Sequence, residues 1–184
     1  STFASSVPSQ IDIGGKNIMD LTGIEAFTGL EYFTADNNLF QVADLRHNHR
    51  LRNFDIGNND SLRQVYFPDT IVTDQGFVNY TITEPGLGYV HIDDCPNLDT
   101  LILPSSYSIY YLRLTDNYNL SFLDLSGQEY MDYLSVSNCD SLQRIDIRHV
   151  GYLRTLYARE MYNLSELDLR NGNIVNLNAH DFRN

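Results

Sequence analysis

Three stretches, "LSFLDL" from Leu120, "MDYLSV" from Met131 and "LQRIDI" from Leu142, each start eleven residues after the last. In all three the first, fourth and sixth residues are apolar. The same template fits Leu30/Phe33/Ala35, Phe40/Ala43/Leu45, Leu51/Phe54/Ile56 and Leu62/Val65/Phe67. It returns at Phe77/Tyr80/Ile82, Leu87/Val90/Ile92, Leu98/Leu101/Leu103 and Ile109/Leu112/Leu114, and continues to Ile174/Leu177/Ala179. Each unit ends in the alternation apolar–x–apolar, the period of a strand with one buried face. Turn formers separate the units: "RHNHR", "GNNDS", "DDCPN", "TDNYN", "SNCDS". Hairpin loops of barrels and sandwiches vary in length, so an even step of eleven predicts a wound chain instead. Two units make a coil of 22 residues, which rises by one strand spacing, roughly 4.8 Å. About seven coils give a mainly β solenoid roughly 34 Å long, with two short strands per coil and little helix.

Alternation of unit types fixes the turn at 22. One type carries Asn or Cys at its ninth position, with Asn48, Cys95, Asn117 and Cys139 as examples; the other varies there, with Ser106, Gln128, Val150 and Gly172. Asn38, Asn48, Asn59, Cys95, Asn117 and Cys139 are therefore the structural candidates. An Asn amide satisfies backbone groups of a buried turn, and a small buried thiol replaces it. Cys95 and Cys139 stand two coils apart, roughly 9–10 Å, which is too far for a disulfide or a shared metal.

The opening "IDIGGKNIMDLTGIEAFTGLEYFTADNNL" (Ile11 to Leu39) resembles the leucine-rich-repeat family. It is most similar to the bacterial class with repeats of 21–22 residues found in Bacteroidetes surface and secreted proteins and in internalin-like proteins. The resemblance covers the chain from about Pro8 to its end. It implies a scaffold, residues 1–29 as first coil or cap and 30–184 as one continuous repeat domain with an insertion near 68–76. It also implies a secreted or cell-surface bacterial setting and a non-catalytic module that binds protein or glycan, or else a spacer in a larger adhesin. Departures are the fifteen-residue step from Leu62 to Phe77, to which "PDTIVTDQG" adds the excess, and Val150 and Met161 at ladder positions. The ending "NIVNLNAHDFRN" still reads as repeat, so a continuing chain or a neighbour is expected to cover it.

Charge narrows the partner. Among 184 residues the formal net charge is −12, which argues against nucleic acid and against an anionic membrane surface. No apolar run is long enough to span a bilayer, and "STFASSVPSQ" lacks the charged and apolar regions of a secretion signal. No HExxH, GxSxG or glycine-rich phosphate loop occurs, and no cofactor or metal is called for.

Outward positions carry the protein's individuality. Tyr89, Tyr111 and Tyr133 recur every 22 residues at position 3, with Tyr66 and Tyr157 at position 5 of what the count makes the same strand type. These five are the candidate ligand-binding residues. An aromatic binding surface and a cross-strand ladder that only stabilises the sheet are both open readings. Asp124, Asp146 and Asp168 form a second column, with Arg144, Arg148 and Arg170 placed to offset their repulsion. The column predicts a salt-bridged solvent face. "HNH" at His47–His49 predicts a solvated turn.

Overall fold

A computed structural model describes residues 8–72 and 86–170, together with the backbone of 174–180. The strands are β1 (Gln10–Asp12), β2 (Tyr32–Thr34), β3 (Val42–Asp44), β4 (Asn53–Gly57), β5 (Gln64–Tyr66), β6 (Gly86–Asp93) and β7 (Thr100–Ile102). They continue with β8 (Ser108–Thr115), β9 (Tyr130–Ser137), β10 (Arg144–Asp146), β11 (Tyr152–Arg159), β12 (Glu166–Asp168) and β13 (Ile174–His180). Helix among the described residues is limited to one 3-10 turn, Ile24–Ala26. The fold is a mainly β solenoid of about seven coils.

All ladders among the described residues are parallel. On one side of the coil runs an eight-stranded sheet in the order β1-β2-β4-β6-β8-β9-β11-β13. The other side holds two shorter sheets, β3-β5-β7 and β10-β12. Tyr89 pairs with Tyr111, Leu112 with Leu134 and Leu134 with Leu156, so residues 22 apart are vertical neighbours.

Positions 1, 4 and 6 of both sides meet in one core. Leu30, Phe33, Leu51, Phe54, Val90, Leu112, Leu134 and Leu156 are all at most 1% exposed. Phe33 stacks on Phe54 at 5.9 Å, and Phe54 meets Phe67 edge-on from the other side at 5.1 Å. Each such side chain contributes about 1.5–3 kcal/mol by leaving water.

The coil closes on itself at two adjacent positions of the long-sheet side. Position 8 is left-handed in every coil from Gly15 (φ 66°) through Asn37 (53°), Asn58 (54°), Asp94 (52°), Asp116 (56°) and Asn138 (51°) to Glu160 (51°). Gly, Asn and Asp are the residues that enter this region at least cost. Position 9 follows with a buried ladder of Asn38, Asn59, Cys95, Asn117, Cys139 and Met161. Asn59 shows its logic: Oδ1 accepts the Asn38 N–H at 2.8 Å, while Nδ2 donates to the carbonyls of Ala35 (3.1 Å) and Gly57 (2.9 Å). Asn38 does the same one coil earlier, accepting from Ile18 N–H and donating to Ile13, Ala35 and Asp36 carbonyls. The thiols of Cys95 and Cys139 accept the N–H of Asn59 and Asn117 in turn. Each also points at a carbonyl two residues back, Asp93 and Ser137. Both cysteines are free and buried, and burial pushes both thiols up to about 12.

Two assignments made from sequence are corrected here. Asn48 lies on the short-sheet side, not in the ladder of Cys95, Asn117 and Cys139. It ties its turn to that of the preceding coil by donating to the carbonyls of Ile24 (2.9 Å) and Phe27 (3.1 Å), and Gln128 serves likewise three coils on, reaching Pro104. The insertion is also larger than the fifteen-residue step suggested. Phe54 pairs directly with Val90 and Val65 with Leu101, each 36 residues apart where 22 is the rule, so this coil holds fourteen more. The unit expected at Phe77/Tyr80/Ile82 lies outside the described residues. The base of the insertion is tied on both sides. Tyr107 Oη donates to the Pro68 carbonyl at 2.7 Å, Ser106 Oγ donates to the Asp69 carbonyl, and His49 Nδ1 holds the Thr70 carbonyl at 2.9 Å. That last bond requires the proton on Nδ1, and it gives His49 of the "HNH" turn a structural task.

The corner predicts two mutational outcomes. Glu160 is the one residue of the left-handed series without a short amide, acid or hydrogen side chain, so Glu160→Asn should raise stability by up to about 1 kcal/mol in urea unfolding. In the ladder, Asn59→Ala strands the buried Asn38 N–H and takes one of two donors from each of the Ala35 and Gly57 carbonyls, and should cost about 1–3 kcal/mol. Asn117→Cys, which copies the chain's own Cys95 and Cys139, should cost less than Asn59→Ala in the same assay.

Candidate functional site

The outward face of the long sheet collects the aromatic residues. Position 3 carries Tyr89, Tyr111 and Tyr133 in direct register on β6, β8 and β9. Tyr89 and Tyr111 stack with centroids 4.7 Å apart and planes 20° apart; Tyr111 and Tyr133 stack at 5.8 Å and 26°. Tyr157, two positions further along β11, pairs in register with Ser135, yet its ring leans back to meet Tyr133 at 5.4 Å. Four of the five sequence candidates thus form one strip. Tyr66 does not belong to it. It sits on β5 of the short-sheet side, beneath the Arg46 guanidinium at 5.2 Å and hydrogen-bonded to Gln64.

A second row runs alongside. Tyr130 and Tyr152, paired in register, stack at 4.8 Å with planes 10° apart, and Tyr110 meets Tyr130 edge-on at 5.7 Å. Sequence reading missed Tyr130 and Tyr152 because each falls just before its unit's first apolar residue, and Tyr110 because it follows Ile109 and is buried. The row's signal was the same 22-residue recurrence, from Tyr130 to Tyr152.

Polar groups fix the strip. Tyr111 Oη donates to Asp132 Oδ2 at 2.8 Å, and Arg154 stands 3.6 Å from the other oxygen of that carboxylate. The hydrogen bond to Asp132, then burial, pushes the Tyr111 phenol up to about 12. Arg159 lies over the Tyr157 ring at 4.8 Å, and Arg113 pairs with Asp93 at 3.1 Å. Towards the N-terminal coils the same side turns acidic. Asp36 is held above the usual carboxylate range by burial, with Asp55 and Asp12 adding repulsion. Asp93 is raised by burial, and Arg113 offsets part of it.

The ring geometry limits what the strip can bind. Stacked tyrosines cover one another's faces, leaving edges and hydroxyls at the surface. An aromatic platform for a sugar needs an open face; a line of amphipathic edges suits a protein surface, and tyrosine offers it at low entropic cost.

On the short-sheet side the acidic column exists as expected, but its members differ. Asp146 pairs with Arg148 and with Arg144 (2.8 Å), and Asp168 with Arg170 and Arg148 (3.2 Å). Asp124 is held by the Ser126 N–H at 2.9 Å, and among the described residues no cation pairs with it. Hydrogen bonds from Arg148 hold the Asp146 carboxyl well below its usual range, and those from Arg170 lower Asp168.

No helix of the described residues is long and apolar enough to cross a membrane, which says nothing of β-strands in that role. No family model matches the chain, and no curated protein matches it. Among solved structures it is similar to the functional domain of InlJ from Listeria monocytogenes, which includes a cysteine ladder. The identity is 15% and the TM-score 0.38, over 95% of this chain and 63% of that one. The chain therefore spans less than two thirds of that protein's chain.

Because Asp146 and Asp168 titrate lower when folded than when unfolded, their pairs stabilise the fold above the ordinary carboxylate value of 3.8 and lose that effect as pH falls through the folded values. Asp146→Asn should make the decline of stability between about pH 5 and pH 2 shallower than in the parent chain, read by urea unfolding at each pH.

Proposed function

We propose that this chain is a non-catalytic recognition module of the leucine-rich-repeat type that binds a partner protein across its long sheet, with Tyr89, Tyr111, Tyr133 and Tyr157 at the centre of contact. The observation that carries the reading is the mutual stacking of the tyrosines into a strip of edges and hydroxyls, bordered by Arg154 and Arg159 towards one end and by acidic residues towards the other. Aromatic residues and arginine are the groups that concentrate binding energy in protein interfaces. Of the two ligand classes open at the sequence level, the covered ring faces favour protein over glycan. A secreted or cell-surface setting and a Bacteroidetes-like or internalin-like origin belong to this proposal and rest on the repeat pattern. A spacer would account for the core, but it has no use for placing the arginines and tyrosines together on one stretch of one face.

The immobilised chain should retain a specific partner from cell-surface or secreted fractions. Combined substitution of Tyr89, Tyr111 and Tyr133 by Ser should abolish that retention while the circular dichroism spectrum keeps its β character. The variant should lose about 0.5–1.5 kcal/mol of stability per stacked pair. Retention that survives the triple substitution, or saturable binding on a glycan array that the substitution removes, would overturn the protein-binding reading.

A further inference from the structure

The short-sheet side repeats one device and then omits it. Asp44-Leu45-Arg46, Asp146-Ile147-Arg148 and Asp168-Leu169-Arg170 occupy equivalent places in three coils. In each, the aspartate accepts the backbone N–H of the residue two further on, at 3.2, 3.0 and 3.3 Å. The arginine at that place then folds back, its Nε donating to Oδ1 of the same carboxylate at 2.9, 2.9 and 2.8 Å. A second nitrogen reaches the other oxygen, making the pair two-pronged. Asp124-Leu125-Ser126 keeps the aspartate and the backbone bond but has serine where the guanidinium should start.

The surroundings of Asp124 match that omission. The short-sheet side is interrupted between β7 and β10, and residues 121–125 join neither ladder. A groove of about 430 Å³ opens there, lined by Phe122, Asp124, Ser126, Gln143, Arg144 and His149. Phe122, 68% exposed, stands on the same outward face two residues before Asp124. Arg144 does not fill the place: its guanidinium is committed to Asp146 (2.8 Å), Glu166 (3.5 Å) and Asp168 (3.8 Å), one and two coils further on.

We propose that this groove receives an arginine side chain from a partner polypeptide. Its guanidinium takes the two carboxylate oxygens of Asp124, as the chain's own arginines do in three other coils, and its planar face lies against Phe122. The three internal pairs define the geometry of the guest, and that geometry selects arginine over lysine, whose ammonium cannot bridge both oxygens in one plane. The aromatic wall adds a cation–π contact. The site is on the opposite side of the coil from the tyrosine strip, so its failure would leave the reading of that strip untouched.

The probe is acetyl-Gly-Arg-Gly-amide, titrated into the full chain and followed by amide chemical shifts. Saturable shifts are expected at residues 121–126 and 143–149, with a dissociation constant on the order of millimolar for so small a ligand. The citrulline counterpart, isosteric but uncharged, should leave them unmoved, and the lysine counterpart should bind more weakly. Asp124→Asn keeps the oxygen that caps the Ser126 N–H and should lose the response. Ser126→Arg restores the internal pattern and should lose it too, because its own side chain occupies the place. Shifts that persist in either variant, equal binding of the citrulline or lysine peptide, or no saturable response in the parent chain would each overturn the proposal.

Discussion

The structure depends on one corner. A chain that turns through a full coil every 22 residues must bend sharply out of the long sheet while leaving no buried carbonyl or N–H unpaired. Position 8 supplies the bend with a left-handed backbone, and at Asn38 and Asn59 position 9 supplies the satisfaction with a short amide that serves two coils at once. Met161 fills the same place with an apolar side chain beside left-handed Glu160, so the bend itself does not require the amide. Where the amide is present, it pairs backbone groups that the bend turns toward the core. A ladder amide without the bend would point away from the groups it serves. An unpaired buried polar group costs about 1–3 kcal/mol, and the corner recurs in every coil, so an error there would be felt repeatedly. Cysteine is tolerated in this ladder because the thiol still offers sulfur to the preceding N–H and a weak donor to a carbonyl, at the size of an Asn amide.

Fixed corners make like residues neighbours, and this has opposite effects on the two outward faces. Tyrosine on tyrosine is favourable, so the long sheet accumulates stacked rings along Tyr89, Tyr111 and Tyr133. Aspartate on aspartate is not. Asp146 and Asp168 would face each other across paired strands, and Arg144, Arg148 and Arg170 interleave between and around them. Exposed pairs such as Asp146–Arg148 contribute little to stability singly, whereas the Asp168 carboxylate is itself covered. Here the pairs cancel a repulsion that the register itself creates, which is a different task from adding net attraction.

The period, the strands, the inward positions and the tyrosine column were legible because each rests on a local rule repeated many times. What failed was parity. Counting Phe77/Tyr80/Ile82 as a unit kept the alternation going through the insertion and put every earlier unit on the wrong side of every later one. That single slip moved Asn48 into the ladder of Cys95 and set Tyr66 beside Tyr89. It is the solenoid counterpart of a one-residue register shift in a strand, where the whole pattern changes face together. The corner itself carried the correction. Asn37-Asn38, Asn58-Asn59, Asp94-Cys95, Asp116-Asn117 and Asn138-Cys139 each couple a left-handed former to a ladder residue, whereas His47-Asn48 does not. The second tyrosine row and the interruption beside Asp124 were beyond a template that scored only apolar positions.

The two sides of the coil end up with different mechanical characters, and their surfaces follow from that. The long sheet is continuous through eight strands, including four of eight residues, so its tyrosines are held in a fixed line by uninterrupted ladder bonds. A rigid line of side chains suits a broad partner surface, because little ordering remains to be done on contact. The short-sheet side is built from three-residue strands and breaks where residues 121–125 leave the ladder. A break in a parallel stack opens a depression without disturbing the core beneath, where Leu123 and Leu125 stay at most 4% exposed. The same repeat thus yields a flat aromatic face where pairing is complete and a pocket where it lapses, without any departure from the corner that holds both.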